Sequence, residues 1–259
     1  MTEACPVDLI DAAVVLADIS AAITLKWFRA DPEVALKADS TPVSAADREA
    51  ERAMRDEITR RFPAHGILGE EFGDERTDAE YVWALDPIDG TKSFVTGRPL
   101  FGTLVALARA GRPLLGIVDL PAIGDRWIGA AGHRTTLRGK AARTRRCAGL
   151  DGALLSATSP GMFSGPDRSA FERLQAAVLY TVWGSDCFAY GQVASGWLDL
   201  VVEASLDTHD FMAIAPVVTG AGGVMTDWEG RPLTLESGGR VVASGDAALH
   251  RKVLAALAG

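Results

Sequence analysis

The most informative segment of the chain is Trp83-Ala84-Leu85-Asp86-Pro87-Ile88-Asp89-Gly90-Thr91. An apolar run over residues 81–85 predicts a strand, and two carboxylates, a glycine and a hydroxyl follow it. Mg²⁺ prefers oxygen ligands in proteins, and the free amides at the start of a helix favour an anion. The segment therefore predicts a place where a metal ion and a phosphate can meet. Taken alone it also fits a turn with two solvated aspartates, because Asp, Pro and Gly are common turn residues.

The size of the chain limits its organisation. Its 259 residues are enough for one large domain or two tightly joined halves. A hydrophobic content of 48% and 27 glycines are typical of a globular enzyme and not of a disordered chain. There is no apolar run of the roughly 18 residues that a membrane span needs, so no membrane association is expected.

The net charge and the cysteine content limit which binding partners and which cellular compartment are expected. The net charge of −8 argues against nucleic acid as the main partner. Three widely spaced cysteines argue against a disulfide framework or a zinc site and favour a reducing compartment. The first residues lack the basic and apolar regions of a signal peptide. Together these features predict a cytoplasmic protein.

Hydrophobic periodicity and turn signals predict a layered α+β fold. We expect helices over residues 8–28, 44–62, 168–179, 186–195, 209–219 and 247–257. We expect strands over residues 81–85, 103–109, 113–120, 126–130, 197–203 and 224–228. The strands between residues 103 and 130 are joined by short turn signals, which predicts an antiparallel meander. The basic segment 138–146 is interpreted as a solvated loop or hairpin, and its role is left open.

Asp47 lies on the apolar side of the second predicted helix. Ala50, Met54 and Ile58 follow it at helical spacing, and the four side chains fall within roughly 60° of arc. The charged residues of this helix are expected largely off that stripe; they are Arg48, Glu51, Arg52, Arg55 and Glu57. A buried carboxylate must be protonated, paired or bound to metal. The alternative is that Asp47 caps the helix, since Ser44 and Asp47 have the spacing of a capping box.

Other acidic residues also follow apolar elements. Glu70 comes directly after Ile67-Leu68-Gly69, and Glu203 ends a predicted strand. Asp210 falls in the first turn of a helix for which Thr208 is the expected N-cap. Each can be explained separately, as a solvated strand end or a favourable helix-dipole placement. A single divalent-metal site explains them together, and its oxygen-only donor set favours Mg²⁺ or Mn²⁺ over zinc.

The four histidines are isolated in the sequence and are interpreted as structural or solvated. His209 is the exception to watch, because it is next to Asp210.

The combined motifs resemble the signatures of the inositol monophosphatase family. They are Gly69-Glu70-Glu71, Trp83 to Thr91, and His209-Asp210 followed by Ala221-Gly222-Gly223, in matching order and spacing. The resemblance implies an αβαβα sandwich formed by residues 1–259 as a single domain. The half before about residue 145 would carry the metal motifs, and the half from about 146 would carry Asp210 and the substrate-selecting segment. It also implies Mg²⁺-dependent hydrolysis of a small phosphorylated metabolite, and a homodimer.

Within the family the chain most resembles the histidinol-phosphatase branch. The segments that carry this resemblance are residues 91–103, 184–191 and 222–230. Histidinol phosphate, an intermediate of histidine biosynthesis, is therefore the expected substrate. An inositol-1-phosphatase, a broad sugar-phosphate phosphatase and a 3′-phosphoadenosine phosphatase are the alternatives. A non-enzymatic alternative is a dimer in which the acids form a structural metal site, but that would leave Gly90 and Thr91 without a role.

The family resemblance assigns a role to each candidate site residue. Glu70, Asp86 and the carbonyl of Ile88 would hold a first metal ion, and Asp86, Asp89 and Asp210 a second. Asp47 would contribute to a third, weaker position, which gives two or three Mg²⁺ ions per site, with Mn²⁺ as a possible substitute. Glu70 and Thr91 would act on the attacking water. The expected substrate-binding residues are Ile88, Asp89, Gly90, Thr91, Asp186, Glu203 and Asp210.

Substrate choice is expected to depend on Asp186, Glu203 and the segment around Trp183. Histidinol phosphate carries an ammonium group and an imidazole, so an acidic pocket suits it better than it suits the hydroxyls of inositol phosphate. For Asp186 the alternative is that it caps a helix beginning near Cys187, because Asp is a preferred N-cap residue.

Overall fold

The computed structural model describes residues 4–30, 34–36 and 42–259, and for residues 34–36 and 42–44 it describes the backbone only. The helices within these ranges are α1 Val7–Trp27, α2 Ala45–Arg61, α3 Thr91–Val95, α4 Gly165–Ala177, α5 Phe188–Ala194, α6 Thr208–Gly220 and α7 Ala247–Ala258. The predicted helices are confirmed to within a few residues at each end. The short α3 is the helix that follows the Asp86 to Gly90 segment.

The strands of the first half are β1 Val34–Leu36, β2 Pro42–Ser44, β3 Gly66–Gly69, β4 Gly73–Glu75, β5 Tyr81–Asp89, β6 Gly102–Arg109, β7 Arg112–Leu120, β8 Asp125–Ala130, β9 Thr136–Leu137 and β10 Lys140–Ala141. Those of the second half are β11 Leu154–Ala157, β12 Tyr180–Trp183, β13 Leu200–Glu203, β14 Val224–Asp227 and β15 Val241–Ser244.

The strands of the described ranges form two large sheets. One has eight strands in the order β10-β9-β8-β7-β6-β5-β3-β4, and the other has five in the order β12-β11-β13-β15-β14. Strands β5 to β8 pair with antiparallel neighbours, which confirms the predicted meander. Strand β3 is parallel to β5, so the polypeptide leaves both strands at the same edge of the sheet.

Three buried clusters show that helix and sheet layers alternate. One cluster lies between α1–α2 and the eight-stranded sheet, with Trp83 and Leu85 at its centre. A second lies between the two sheets and contains α5 and α6, together with Val82 and Ala84 from the other face of β5. The third lies between the five-stranded sheet and the pair α4–α7. The order helix, sheet, helix, sheet, helix confirms the predicted layered α+β sandwich.

Helix α6 lies directly on the eight-stranded sheet because β7 has a glycine at the contact. A Cβ atom at Gly116 would collide with the backbone of Ala213 in α6. The close approach brings the first turn of α6, which contains Asp210, to the end of the sheet where β3 and β5 leave it.

Strand β5 is longer than predicted, since it continues past Leu85 to Asp89. Its pairing with β6 is irregular between Asp86 and Asp89. The carbonyl of Pro87, within this irregularity, accepts a hydrogen bond of 2.8 Å from the Thr103 hydroxyl, which lies 2.7 Å from the Ser20 hydroxyl. A proline cannot donate to a strand ladder, so a buried side-chain network supports the backbone where the regular ladder is interrupted.

The second half of the chain differs more from the prediction. Residues 154–157, 180–183 and 241–244 are strands that the sequence analysis did not predict, and the strand expected over 197–203 begins only at Leu200. The basic segment begins with the turn and second strand of the β9–β10 hairpin, which agrees with the hairpin alternative of the prediction. Arg145, beyond the hairpin, donates two hydrogen bonds of 2.7 and 2.6 Å to the buried carboxylate of Asp199, so this part of the segment is anchored.

Across the described ranges, none of the helices combines the length and the apolar character that a membrane crossing requires.

Candidate active site

The register of β3 against β5 places two predicted metal ligands side by side. Gly69 pairs with Leu85 in the parallel ladder, and the next residues along the two strands are Glu70 and Asp86. Asp86 is almost completely buried, whereas Glu70 is partly exposed. Adjacent parallel strands with acids at matching positions therefore form the base of the candidate site.

Two helices contribute the other acids. Asp47 is in the first turn of α2 and is 1% exposed, which confirms its predicted position on the buried stripe. Asp210 is in the first turn of α6, but the predicted N-cap Thr208 is wrong. The N-cap is Asp207, whose backbone amide donates a 2.7 Å hydrogen bond to Asp210 in a capping box. The proposed capping role of Ser44 concerns a side chain outside the described residues.

The carboxylates form groups with the spacing of metal ligands. Asp86, Asp89 and Asp210 each offer an oxygen within 4.8 Å of the other two. The same holds for Asp47, Glu70 and Glu71. Residues from four separate elements thus meet at one end of the eight-stranded sheet.

Burial and like charge act together on these carboxyl groups. The pKa of Asp86 is raised well above its ordinary value, first by burial and then by the nearby charges of Glu70, Asp89, Asp210 and Asp47. Burial also raises the pKa of Asp210 from 3.8 to about 8. Ionised carboxylates cannot be held this close together in a buried site without a compensating cation or proton.

Asp89 also supports a neighbouring helix. Its Oδ2 atom accepts a 2.6 Å hydrogen bond from the backbone amide of Cys187, the N-cap residue of α5. The carboxylate is therefore fixed from two sides, by the strand that carries it and by the amide at the start of α5. The pKa of Asp89 is raised well above its ordinary value by burial and by Asp186 and Asp210, while the bond from Cys187 opposes the shift.

The Ile88 carbonyl and the Thr91 hydroxyl are hydrogen-bonded to one another. Thr91 Oγ1 donates to the Ile88 carbonyl oxygen at 3.1 Å. Thr91 is the first residue of α3, and Gly90 before it has a φ of 79°, in the left-handed region. The turn therefore leads directly into the helix start that the sequence analysis predicted, with backbone amides that make no bonds within the helix.

Asp186 lies against this turn. A Cβ atom at Gly90 would be 2.9 Å from Asp186 Oδ2, so the carboxylate packs directly against the glycine. Asp186 Oδ2 accepts a 3.1 Å hydrogen bond from Ser93 Oγ in α3. Burial raises the pKa of Asp186, and the Ser93 bond and the charges of Arg98 and Lys92 oppose this shift.

Asp186 is not the cap of α5. Helix α5 begins at Phe188, close to the predicted start, and its N-cap is Cys187 and not Asp186. Asp186 itself has a φ of 44°, so the chain turns sharply there and directs the residue to the Gly90 turn instead of along the helix.

Glu203 is more deeply buried than its predicted position at the end of a strand suggests. It is 2% exposed, and its two oxygens accept hydrogen bonds from the Thr158 amide at 2.7 Å and the Tyr190 hydroxyl at 2.8 Å. Trp183 packs against Phe171 of α4, with ring centroids 5.5 Å apart. Contact of either side chain with substrate stays a prediction.

The sequence analysis was wrong about Glu51 and Arg55, which it placed largely off the buried stripe of α2. Glu51 is completely buried, and Arg55 is 7% exposed. The Glu51 carboxylate accepts hydrogen bonds from the amides of Glu71 and Phe72 at 2.7 and 3.2 Å and from Arg55 Nε at 2.7 Å. Arg55 in turn donates to the Gly73 carbonyl. We call Glu51 and Arg55 the α2 clasp, because they bind the turn directly after Glu70.

His209 also belongs to the site, although its position beside Asp210 was the only signal for it in the sequence. One of its ring nitrogens lies within 4.8 Å of carboxylate oxygens of Glu70 and Asp86. The donor set at this edge is therefore not limited to oxygen.

The residues present fit a site for divalent cations. Glu70, Asp86, Asp89 and Asp210 are hard oxygen donors at ligand spacing, and oxygen donors of this kind suit Mg²⁺, Ca²⁺ and Mn²⁺. Burial, and after it the neighbouring carboxylates, raise the pKa values of Asp86 and Asp89, and a bound cation would stabilise their ionised forms.

The layered α+β sandwich and its carboxylate edge occur here in a chain whose relatives are named phosphatases, so the protein is a hydrolase of phosphoric monoesters. The model of the inositol monophosphatase family matches residues 7–258. The chain belongs to the inositol monophosphatase family.

Relatives and solved structures agree with this family. The chain is 45% identical over 251 residues to the chloroplastic bifunctional phosphatase IMPL2 of Arabidopsis thaliana, covering 93% of this chain and 72% of the relative. It is 36% identical over 255 residues to a histidinol-phosphatase of Mycobacterium tuberculosis, covering 95% of this chain and 96% of the relative. A solved inositol monophosphatase from Zymomonas mobilis has a TM-score of 0.90 at 44% identity, covering 97% of this chain and 98% of that chain.

Proposed function

We propose that this phosphatase is Mg²⁺-dependent and that its substrate is histidinol phosphate. The observation that carries the choice of substrate is the position of Asp186, a partly exposed carboxylate held against the Gly90 turn. The likeness to a histidinol-phosphatase over 95% of this chain supports it.

Five acids at the sheet edge hold the cations in this proposal. Glu70, Asp86 and the Ile88 carbonyl form one donor set in this proposal, and Asp86, Asp89 and Asp210 form the other, with Asp47 at a weaker third position. Bound divalent cations lower the pKa of a coordinated water and neutralise charge on phosphoryl oxygens. Asp86 and Asp89 are held in place by the strand and by the Ile88 and Cys187 amides, at 2.9 and 2.6 Å respectively.

Thr91 is suited to orient the attacking water. Its hydroxyl proton is used in the bond to the Ile88 carbonyl, so the oxygen has lone pairs left to accept a hydrogen bond from water. Glu70 is proposed to take part in activating the same water. The amides of Gly90 and Thr91, at the start of α3, are proposed to bind the phosphate oxygens.

Asp186 is proposed to select the amine of the leaving group. Its carboxylate already accepts a hydrogen bond from Ser93, and an ammonium group would add a second, charge-assisted bond. Such a bond is worth roughly 1.5–3 kcal/mol, which corresponds to about tenfold to a hundredfold in kcat/KM.

The test compares two substrates in the Asp186→Asn variant. We expect kcat/KM for histidinol phosphate to fall by about tenfold to a hundredfold, while hydrolysis of p-nitrophenyl phosphate, which has no amine, is unchanged. Equal rates on histidinol phosphate before and after the substitution would remove the amine-binding role. Loss of both activities would assign Asp186 to the catalytic geometry instead.

An inositol phosphate is the second candidate substrate. The likeness to the Zymomonas mobilis inositol monophosphatase over 97% of this chain favours it, and the Ser93 and Asp186 oxygens could also bond to hydroxyl groups. A panel of histidinol phosphate, inositol-1-phosphate, a sugar phosphate and 3′-phosphoadenosine 5′-phosphate distinguishes these alternatives by their kcat/KM values.

We further propose that residues 1–259 form one domain and that the protein is a cytoplasmic homodimer. The buried cluster that joins both large sheets through α5 and α6 supports one cooperative unit. Light scattering should give about twice the chain mass of 27.3 kDa, and calorimetry should show one unfolding transition. A monomeric mass or two separate transitions would contradict these points.

A further inference from the structure

His209 is the least explained side chain at the carboxylate edge. It is the second residue of α6, and its side chain is 12% exposed. Its Nε2 atom lies 3.6 Å from Asp210 Oδ1, which is longer than a hydrogen bond. Within the described ranges the imidazole makes no hydrogen bond to a protein group.

The other histidines have defined structural roles. His65 stacks on Phe62 and bonds to the Trp83 indole nitrogen at 3.1 Å. His133 bonds to the Cys5 carbonyl at 2.9 Å. His250 lies between the hydroxyls of Thr226 and Ser244. These three agree with the structural interpretation made from the sequence, and His209 does not.

His209 belongs to two groups with ligand spacing. One ring nitrogen lies within 4.8 Å of oxygens of Glu70 and Asp86, and one lies within the same distance of Asp207 and Asp210. The imidazole is therefore close both to Glu70 and Asp86, at the ends of neighbouring strands, and to the two acids at the start of α6. His209 is in the first turn of α6, and the capping box between Asp207 and Asp210 holds the backbone of that turn in place.

We propose that His209 is a nitrogen ligand of the divalent metal ion held by Glu70 and Asp86. The proposal rests on the metal-dependent function above and adds a donor that an oxygen-only set lacks. Imidazole is a softer ligand than carboxylate and favours first-row transition metals over Mg²⁺. The site then binds Mn²⁺ more tightly relative to Mg²⁺ than carboxylates and water alone would allow.

The direct test is pulsed electron paramagnetic resonance on the full-length protein, stripped with chelator and loaded with less than one equivalent of Mn²⁺. A coordinated imidazole gives a ¹⁴N modulation of the Mn²⁺ echo, and we expect this signal in the wild-type protein. Labelling histidine with ¹⁵N should replace it by the ¹⁵N pattern without any change in sequence. The signal should be absent in His209→Asn and retained in His133→Asn, the exposed histidine far from the site.

A second measurement follows metal preference by calorimetric titration. In His209→Asn we expect the Kd for Mn²⁺ to rise by about tenfold or more, and the Kd for Mg²⁺ to change much less. Asparagine keeps a polar atom at the position, so the comparison exchanges nitrogen for oxygen. A folded variant is verified by circular dichroism, and the isotope experiment does not depend on it.

The outcomes separate the inference from the proposed function. Bound Mn²⁺ without a ¹⁴N signal, or with a signal that persists in His209→Asn, overturns the role of His209 and leaves the metal-dependent phosphatase intact. Failure of the wild-type protein to bind Mn²⁺ or Mg²⁺ at all overturns both.

Discussion

At the scale of single residues, Asp89 combines the most functions in the candidate site. It is grouped with Asp86 and Asp210 at ligand spacing, and it accepts the amide hydrogen of Cys187. The sequence analysis predicted the first function from the position of Asp89 after an apolar strand. It could not predict the second, because the partner is 98 residues away along the chain.

The substitution Asp89→Asn should remove most turnover and leave the fold intact. The amide oxygen of asparagine can still accept the bond from Cys187, whereas one anionic metal ligand is lost. We expect kcat to fall by about 10²-fold or more. The melting temperature of the metal-free protein should rise, because repulsion among the buried carboxylates decreases.

The matched control for this variant is Asp56→Asn, which removes an exposed acid of α2 far from the carboxylate edge. It should leave both kcat and the melting temperature unchanged. Near-normal kcat of Asp89→Asn at saturating Mg²⁺ would contradict the assignment of Asp89 as a ligand.

At the scale of elements, the α2 clasp links the second helix to the turn that carries Glu70. The helical pattern correctly predicted that Asp47 is buried, because its neighbours at helical spacing are apolar. The same pattern wrongly placed Glu51 and Arg55 near the surface, because it takes no account of partners in a distant loop. Burial of this ion pair depends on the Glu71 and Phe72 amides and the Gly73 carbonyl, none of which a helix pattern contains.

Loss of the clasp should weaken both stability and metal binding. Glu51 accepts three hydrogen bonds, from the Glu71 and Phe72 amides and from Arg55. In Glu51→Gln an NH₂ group replaces one of the two accepting oxygens, and Arg55 loses its buried counter-charge. Breaking a buried ion pair from one side costs about 3–5 kcal/mol. We expect the free energy of unfolding to fall by about that amount, and the Kd for Mg²⁺ to rise because Glu70 is no longer held by the turn after it.

Chemical denaturation and titration calorimetry measure the two effects. Glu172→Gln, an exposed acid of α4, is the control and should change neither. A Glu51→Gln protein as stable as the parent would show that the clasp contributes nothing to the fold.

Strands were predicted less well than helices for a physical reason. The meander strands β6 to β8 are eight, nine and six residues long, and turn signals mark their ends. Strands β11, β12 and β15 have four residues each. Runs this short carry too little periodicity to be distinguished from a helix or loop. The extension of β5 to Asp89 was missed because Asp, Pro and Gly are read as turn residues.

At the scale of the whole molecule, the fold gathers negative charge that it cannot neutralise alone. Residues from β3, β5, α2 and α6 meet at one edge of the sandwich. Each of these acids has a separate explanation in its own element; the sequence analysis inferred a shared site because several acids follow apolar elements, and the family resemblance then gave each one a role. Under the proposed function bound cations neutralise this charge, and the metal-free protein is less stable because the carboxylates are left uncompensated.

The buried carboxylates also determine how the stability of the metal-free protein depends on pH. The pKa of Asp210 is 3.8 in the unfolded chain and about 8 in the folded protein. Between these values the folded state binds the additional proton, so stability is lost as pH rises, by up to about 1.4 kcal/mol per unit. His250, with a pKa lowered to about 4, acts in the opposite direction, but only below about pH 6.5.

The informative window therefore lies between about pH 6.5, above which His250 no longer contributes, and about pH 8. Urea denaturation of the metal-free protein should show decreasing stability across it, and saturating Mg²⁺ should raise stability and flatten the dependence. Metal-free stability that increases with pH in this window would contradict the raised pKa of Asp210.

The central claim is that the carboxylate edge hydrolyses a phosphate monoester with the help of bound metal ions. Its most direct test is phosphate release from histidinol phosphate by protein stripped with excess chelator, before and after Mg²⁺ is restored. We expect negligible release without metal, full recovery with Mg²⁺ in the parent protein, and a recovered rate lower by about 10²-fold or more in Asp89→Asn. Full hydrolysis in excess chelator would contradict it.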